Sequence, residues 1–225
     1  MGEAPLIDQP AVTANVALVR ARIARAGGEG RTRLVAVTKG FGPEAIRAAS
    51  AAGVDAIGEN YAQELERKLV DLGNELDVPV HFIGRIQRNK VRVLASRVAL
   101  WQSVDRVEVG VEIARRCPGA RVLAQVNLSG QPGRGGCDPR SIDELVGALR
   151  SAGLDVRGLM GVGPVGEPEG SRPGFVFLSE RASALGLTEL SMGMSDDLEV
   201  AVECGATMVR VGRSLFGSRP HRSGT

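Results

Sequence analysis

Short apolar runs alternate with longer amphipathic segments along most of this chain of 225 residues. Runs rich in Val, Leu and Ala that are bounded by Gly or Pro are typical of buried parallel strands, whereas apolar residues spaced three and four apart are typical of helices. An amphipathic segment from Val12 to Ala26, which ends at Gly27-Gly28, predicts an N-terminal helix. The apolar runs predict eight strands, which are Arg33–Lys39, Asp55–Glu59, Val80–Gly84, Leu100–Val104, Arg121–Leu128, Val156–Val162, Glu189–Met192 and Met208–Val211.

Helical patterns lie between the predicted strands, with residues at their ends that favour helix starts and stops. They predict a helix from Pro43 to about Gly53, one that begins at Tyr61, one with Asp105 as its N-cap, one from Asp143 to Ala152, one from Ser179 to Leu185, and one with Ser195 as its N-cap that ends at Gly205. The Gly- and Pro-rich stretches Gly130–Gly136 and Gly163–Gly174 are predicted to be surface loops.

Eight strand-helix units in about 200 residues favour a closed (β/α)8 barrel. An open doubly wound sheet is the alternative, but it would carry a Gly-x-Gly-x-x-Gly turn after the first strand, and the sequence has none there. We therefore expect residues 1–225 to form a single α/β domain, a TIM barrel with an extra N-terminal helix, and we see no second domain.

The composition excludes several classes of protein. With 28 basic and 26 acidic residues the net charge is +2, so no strong field favours nucleic acid or a membrane surface. The three cysteines are widely spaced, which argues against a disulfide framework or a zinc site and for a reducing compartment. Neither a signal peptide nor an apolar run of about 18 residues is evident. We expect a soluble, cytoplasmic protein.

The predicted strand ends define a candidate site, because barrel enzymes place their chemistry at the C-terminal ends of the strands. A desolvated lysine such as Lys39 can condense there with a carbonyl, although a lone lysine at a strand end more often extends to solvent. No cluster suits a metal ion, no pair of carboxylates suits a glycosidase, and His81 has no orienting acid for a catalytic triad. The residues at these ends are Lys39, Glu59-Asn60, His81 with Gly84-Arg85, Ser103, Asn127, Met160, Ser191–Ser195 and Arg210–Ser214.

Two late segments suggest a phosphate site. Ser195, as a helix N-cap, would face an anion with its hydroxyl, and Gly212 would let the backbone approach an anion closely. Barrels often hold phosphate in the loops after strands 7 and 8, where both residues lie. Together with Lys39, they favour a phosphorylated aldehyde held as a Schiff base, and pyridoxal 5'-phosphate (PLP) is the usual ligand of this kind.

The same residues carry a family resemblance. The chain resembles the pyridoxal phosphate homeostasis protein family, which shares the barrel of alanine racemase. The resemblance runs from about Ala11 to Arg219. Its motifs are Leu34–Lys39, Ile57–Glu64, His81–Gly84, Gln87–Lys90, Gln125–Gly130, Gly158–Met160, Leu190–Asp197, Gly205–Gly212 and Phe216-Gly217.

The resemblance implies a role for each candidate residue. It implies that Lys39 forms the Schiff base and that Arg210 faces the pyridine nitrogen. Ser195, Gly212 and the N–H of Arg213 would hold the phosphate, while Asn60 would line the ring and His81 the nearby wall. The sequence departs from the family pattern at two positions, where Arg85 replaces a usual His and Arg213 replaces a usual Thr.

The resemblance also bears on catalysis. An arginine at the ring nitrogen keeps that nitrogen unprotonated, so the ring is a poor electron sink. Racemisation needs a base on each face, and in alanine racemase the second is a Tyr from an added C-terminal domain, which we do not find before Thr225. We expect a non-catalytic, monomeric PLP protein that buffers the cofactor or delivers it to apoenzymes. A weak racemase or transaminase is the second hypothesis, and an aldolase that uses Lys39 is the third.

Overall fold

The computed structural model describes residues 7–73, 76–131 and 133–218. In this part of the chain, eight parallel strands pair in sequence order, and the first also pairs with the last, so that the sheet closes. The strands are β1 Arg33–Val37, β2 Ala56–Glu59, β3 Val80–Phe82, β4 Leu100–Val104, β5 Arg121–Val126, β6 Asp155–Gly161, β7 Glu189–Ser191 and β8 Met208–Val211. The predicted (β/α)8 barrel is confirmed.

A helix follows each strand, and the predicted N-terminal helix precedes the barrel. Two short 3-10 turns, Pro139–Ser141 and Pro168–Ser171, lead into the helices after β5 and β6. The helices are α1 Gln9–Arg25, α2 Pro43–Ala51, α3 Ala62–Leu72, α4 Arg88–Leu94, α5 Val107–Arg116, α6 Ile142–Ser151, α7 Arg172–Ala184, α8 Leu198–Glu203 and α9 Arg213–Phe216.

Side chains alternate between the two faces of the strands. In β8, Val209 and Val211 belong to the large core between the strands and the helices, whereas Met208 belongs to a small apolar cluster inside the barrel. By the same alternation Arg210 faces inward. The barrel interior therefore has an apolar layer, and polar side chains lie inside the barrel above it. The small cluster consists of Val35, Ala56, Leu100, Leu123, Met160 and Met208.

Several predicted boundaries are wrong by a few residues. Helix α7 begins at Arg172 rather than Ser179, because Pro173 occupies the first turn, where its missing N–H removes no helical hydrogen bond. The loop predicted for Gly163–Gly174 is therefore shorter. Helices α4 and α9 had no counterpart among the predicted helices. Strand β1 ends at Val37, two residues before the predicted end.

Two predicted N-caps are also wrong. Helix α5 has Arg106 at its N-cap, and the Asp105 carboxylate accepts a hydrogen bond from the Arg106 guanidinium instead. Helix α8 has Asp197 at its N-cap rather than Ser195. The Asp197 carboxylate closes the turn before the helix by accepting the Met194 N–H at 2.7 Å, so the helix starts later than predicted.

Across residues 7–73, 76–131 and 133–218, no helix combines the length and the apolar character needed to cross a bilayer.

Candidate functional site

The C-terminal ends of the strands surround a cavity of about 200 Å³ at the mouth of the barrel. Of the residues to which the resemblance assigns a role, all except His81 line this cavity, whereas several other predicted strand-end residues, such as Glu59, Arg85 and Ser103, do not. The lining residues are Val37, Lys39, Asn60, Ile83, Met160, Val162, Met194, Ser195, Asp196, Arg210, Gly212 and Arg213.

Lys39 lies just beyond β1, and its neighbour Thr38 is fixed on the outer side of the barrel. The Thr38 hydroxyl donates to Glu59 Oε1 at 2.6 Å, and the Thr38 carbonyl accepts from Lys68 Nζ at 2.8 Å. The Thr38 carbonyl also accepts the Phe41 N–H at 3.1 Å, which closes a turn that contains Lys39. Anchored in this way, the turn places Lys39 on the wall of the cavity.

Lys68 is the centre of a buried polar cluster behind Lys39. Its ammonium group donates to Glu59 Oε1 at 2.5 Å and to Glu64 Oε1 at 2.8 Å, and only 3% of Lys68 is exposed. Glu64 Oε1 also accepts the Gly40 N–H at 2.5 Å. Burial raises the pKa of Glu59, and the nearby Lys68 ammonium acts in the opposite direction. The cluster therefore holds the backbone on both sides of Lys39.

Arg210 brings a positive charge into the cavity wall from β8. The residue is 4% exposed, and its guanidinium donates to Ser191 Oγ at 2.7 Å and to the Gly161 carbonyl at 2.8 Å. Burial lowers the pKa of Arg210 to about 10, while the Asp197 carboxylate acts in the opposite direction. A pKa of about 10 leaves the guanidinium protonated at neutral pH. The cavity therefore contains a fixed cation.

A braced turn connects β7 to α8 and forms another wall. The Gly193 carbonyl accepts the Arg210 N–H at 2.9 Å, which ties the turn to β8. Asp197 accepts the Met194 N–H with one carboxylate oxygen and the Ser171 hydroxyl, at 3.0 Å, with the other. Gly193 has a φ of +89°, and an added Cβ would lie 2.5 Å from the Ala201 Cβ, so the turn requires glycine there.

Ser195 lies in this turn, on the cavity wall and outside the helix. Its hydroxyl accepts the Ser214 N–H at 3.4 Å, and its carbonyl accepts from Arg22 Nη2 at 3.0 Å. Arg22 belongs to α1 and also forms an ion pair with Glu199 of α8, at 2.6 Å. The N-terminal helix thus supports the segment that presents Ser195 to the cavity.

Gly212 follows β8 and provides close access to the backbone. A Cβ added to Gly212 would lie 3.1 Å from the Val37 carbonyl oxygen, so a larger residue would crowd the gap between β1 and β8. The next side chain, Arg213, is exposed and donates to Asp196 Oδ2 at 3.2 Å. The substitution that departs from the family pattern therefore forms an exposed ion pair at the rim of the cavity.

His81, to which the resemblance assigns a wall of the cofactor site, does not line the cavity. It is buried inside the barrel, where its Nδ1 lies 2.8 Å from Gln102 Nε2. Burial lowers the pKa of His81 to about 4, and the positive charge of Arg33 acts in the same direction. His81 is therefore neutral at physiological pH and contacts other side chains rather than the cavity.

A second, larger cavity of about 450 Å³ adjoins the first and shares Asn60 with it. Tyr61, Arg85 and Lys90 line this neighbouring cavity, so Arg85 lies outside the Lys39 cavity. The side-chain oxygen of Asn60 is buried, and it has no hydrogen-bond partner among the described residues. An unsatisfied acceptor between two cavities indicates a position where a ligand donor fits.

Sequence reasoning missed the residues that support the site from behind. Lys68 and Glu64 resemble an ordinary solvent-exposed i,i+4 pair, although both flank the apolar stripe that includes Leu65 and Leu69. Gln102 occupies an inward position of β4, since it alternates with the outward-facing Trp101. A polar residue at an inward strand position was the available signal for Gln102.

No metal site is evident in the part of the chain that the structure describes. Nowhere in it do three or more His, Cys, Asp or Glu side chains come together as a metal ion would require.

Comparisons with known proteins agree with the fold and show the family. The family model described as "Alanine racemase, N-terminal domain" matches residues 7–220. A protein of Pseudomonas aeruginosa named "Pyridoxal phosphate homeostasis protein" is 40% identical over 223 residues, which cover 93% of this chain and 96% of the relative. A protein of Aquifex aeolicus with the same name is 41% identical over 210 residues, which cover 88% of this chain and 92% of that relative.

A solved structure is similar over nearly the whole chain. It is PipY of Synechococcus elongatus with PLP bound, which matches with a TM-score of 0.80 and 31% identity. The match covers 92% of this chain and 100% of that one.

Proposed function

Because the chain belongs to the pyridoxal phosphate homeostasis protein family, which carries the alanine racemase N-terminal domain, we propose that it binds PLP through Lys39 and stores or supplies the cofactor. The observation that carries this proposal is the single cavity that joins Lys39, Asn60, Ser195, Arg210 and Gly212. These residues fit the cofactor: an amine for its aldehyde, a guanidinium for its ring nitrogen, and a hydroxyl beside a close backbone approach for its phosphate.

When bound, the cofactor supplies an aldehyde for condensation and a ring that can accept electrons. Lys39 Nζ would hold the cofactor by condensing with its aldehyde, with loss of water. Arg210 would donate a hydrogen bond to the ring nitrogen and remain protonated itself, so that nitrogen would carry no proton. Because Arg210 also donates to Ser191 and Gly161, its charge is held in one place. A ring without a proton on its nitrogen accepts electrons poorly, which favours storage over catalysis.

Residues of the two late loops bind the phosphate. The Ser195 hydroxyl and the backbone beside Gly212 and Arg213 lie on the same cavity. The exposed Arg213 side chain pairs with Asp196, and we infer that it contributes to the rim rather than to direct phosphate binding. Asn60 lines the cavity and would lie beside the ring, where its amide nitrogen could donate to the ring 3-oxygen.

The lining of the cavity supports a carrier over a racemase. Racemisation needs a second base on the face of the ligand opposite Lys39. Among the described residues that line the cavity, the one carboxylate is Asp196, and it is paired with Arg213. Tyr61, the only tyrosine in the sequence, is 55% exposed and lines the neighbouring cavity. We therefore propose a protein without robust catalysis of its own.

The remaining parts of the proposal concern the domain organisation, cellular compartment, oligomeric state and partners of the protein. We propose that the whole chain acts as one cofactor-binding domain in the cytoplasm, that it works as a monomer, and that PLP-requiring apoenzymes receive the cofactor from it. The nearly balanced charge supports small-molecule exchange over binding to nucleic acid or membranes.

The covalent attachment can be tested at residue level, because the sequence has three lysines, Lys39, Lys68 and Lys90. Borohydride reduction of the PLP-loaded protein, followed by peptide mapping, should place the adduct on Lys39 alone. Lys39→Ala should lose the adduct and the visible absorbance band, whereas Lys90→Ala, in the neighbouring cavity, should keep both. An adduct on Lys90 in the wild-type protein would contradict the proposal.

Carrier and enzyme are separated by two further measurements. The loaded protein should restore activity to a purified apo-aminotransferase, and Lys39→Ala should do so no better than free PLP. Chiral analysis of alanine incubated with the loaded protein should show no inversion above that of free PLP. Inversion that disappears in Asp196→Asn would instead identify a racemase with Asp196 as its second base.

A further inference from the structure

A chain of hydrogen bonds crosses the interior of the barrel from Arg210 to His81. Arg210 Nη1 lies 2.7 Å from Ser191 Oγ, Ser191 Oγ lies 2.6 Å from Gln102 Oε1, and Gln102 Nε2 lies 2.8 Å from His81 Nδ1. The four residues come from β8, β7, β4 and β3, and all are almost completely buried. The chain therefore links the cation of the site to a histidine that does not reach the cavity.

The direction of every hydrogen bond in this chain follows from Arg210. A guanidinium can only donate, so Ser191 Oγ must accept from it. The single hydroxyl proton of Ser191 is then directed to the side-chain oxygen of Gln102. This orients the Gln102 amide nitrogen toward His81, so Nδ1 of His81 must accept and its proton must be on Nε2.

We propose that His81, Gln102 and Ser191 are positioning residues that fix the guanidinium of Arg210 in the orientation that faces the cofactor ring. The proposal rests on the proposed function for the identity of that ligand. The resemblance implies that His81 lines the wall near the ring. In this proposal His81 instead acts indirectly, by positioning Arg210.

The arrangement has no equivalent alternative within the chain. If the Gln102 amide were reversed, its nitrogen would face Ser191 Oγ, and the Ser191 proton would lose its acceptor. Gln102 Nε2 also lies 3.9 Å from Met208 Sδ, a weak acceptor for its second proton that the reversed amide would not use. Burial lowers the pKa of His81, so the imidazole stays neutral and Nδ1 remains an acceptor. A uniquely satisfied network of this kind restricts the guanidinium to one orientation.

The first test uses the apoprotein and does not depend on the cofactor. The sequence has two histidines, so in a His221→Gln protein every imidazole signal belongs to His81. Long-range 1H–15N NMR should show a neutral imidazole with its proton on Nε2 at pH 7. A proton on Nδ1 would overturn the proposal, whether or not any other variant folds.

The second test follows the Arg210 guanidinium. Its slowly exchanging Nη–H signals, identified by their loss in Arg210→Lys, should exchange roughly 3- to 10-fold faster in Ser191→Ala and in Gln102→Met, the range expected for one hydrogen bond. Ser103→Ala is the matched control, because Ser103 is an equally buried serine whose hydroxyl donates to the Gly84 carbonyl outside this network. Equal acceleration in Ser103→Ala would overturn the proposal.

The third test uses the loaded protein. Affinity for PLP should fall about 3- to 10-fold in Ser191→Ala and in His81→Leu. It should be retained in His81→Asn, because the asparagine oxygen can accept in place of Nδ1. If His81→Asn loses as much affinity for PLP as His81→Leu, the result would count against the positioning role. If the wild-type protein forms no Lys39 adduct, the proposed function fails, and the two tests on the apoprotein still decide whether these residues position Arg210.

Discussion

The ammonium group of Lys68 lies 2.5 Å from Glu59 Oε1. This ion pair is buried between the outer face of the barrel and helix α3. Exposure of Glu59 is 0%, and the same oxygen accepts the Thr38 hydroxyl. Buried ion pairs of this kind contribute little net stability compared with apolar residues, because both charges lose their hydration. Their position directly behind Lys39 points instead to a role in placing the lysine.

Removal of Lys68 should be strongly destabilising. In Lys68→Met, two buried carboxyl groups lose their common donor, and we expect the free energy of unfolding to fall by about 3–5 kcal/mol. Lys68→Arg should recover part of this loss because it keeps the charge. Urea unfolding of both variants, monitored by circular dichroism, provides the measurement.

Glu59→Gln is the matched control for charge. Burial raises the pKa of the Glu59 carboxyl group. As pH rises, the unfolded chain therefore loses the Glu59 proton before the folded protein does, and the contribution of this group to stability falls through that pH range. A neutral glutamine that still accepts from Lys68 and Thr38 should cost less than about 1.5 kcal/mol. A loss as large as that of Lys68→Met would mean that the charge of Glu59, and not only its hydrogen bonds, stabilises the cluster.

The phosphate contacts can be separated from the rest of the site with two ligands. Ser195→Ala should lower the affinity for PLP by about 10- to 100-fold, which is the effect of losing one charge-assisted hydrogen bond of roughly 1.5–3 kcal/mol. Gly212→Val should weaken it more, because even a Cβ lies 3.1 Å from the Val37 carbonyl and the added methyl groups occupy the phosphate space. Pyridoxal, which lacks the phosphate, should bind both variants as it binds the wild type.

The Ser195 hydroxyl has an alternative role, in which it supports the loop and does not contact the phosphate. Its hydroxyl accepts the Ser214 N–H at 3.4 Å, so its loss could disturb the loop instead of a ligand contact. In that case Ser195→Ala would weaken pyridoxal and its phosphate ester equally. Titration of each aldehyde into each variant distinguishes the two roles.

The N-terminal helix should affect phosphate binding through Arg22. Arg22 Nη2 donates to the Ser195 carbonyl, so Arg22→Met should loosen the turn that carries Ser195. The affinity for PLP should fall roughly 3- to 10-fold, again the range expected for one hydrogen bond. Arg20→Met is the matched control, since Arg20 lies on the same helix but pairs with Asp55. Equal losses in the two variants would indicate a general effect of the helix on stability.

The sequence predicts the barrel well, and local pattern also suffices to place Lys39 and Arg210 at strand ends that line one cavity. Lys39 and Arg210 belong to apolar runs whose ends meet at one face of any parallel barrel. Lys68 could not be predicted in the same way, because its burial arises from the packing of α3 on Glu59 and Thr38.

The start of α8 shows a second limit of local pattern. Ser195 has the composition of an N-cap, but Asp197 forms the competing hydrogen bond to Met194, and Ser171 supports it from another segment. His81 shows a third limit. A histidine within a strand can face a ligand or another side chain, and only the closed barrel brings Gln102 to its Nδ1.

His81 should make the stability of the protein depend on pH in a defined window. Its pKa falls from 6.5 to about 4 on folding, mainly through burial, so the unfolded chain binds the proton first as pH decreases. Stability from this group is therefore complete above about pH 6.5 and is lost as pH falls toward 4, by about 3 kcal/mol in total.

The matched comparison is His81→Asn, in which the side-chain oxygen accepts from Gln102 and no proton is gained. Carboxyl groups titrate in both proteins, so the difference between their unfolding free energies isolates the imidazole. We expect this difference to change by about 3 kcal/mol between pH 7 and pH 4, with the wild type losing more. Parallel stability curves would show that His81 is protonated in the folded protein as readily as in the unfolded chain. The hydrogen bond to Gln102 would then reverse at low pH, and the single orientation of the Gln102 amide that was derived from Arg210 and Ser191 would not be maintained.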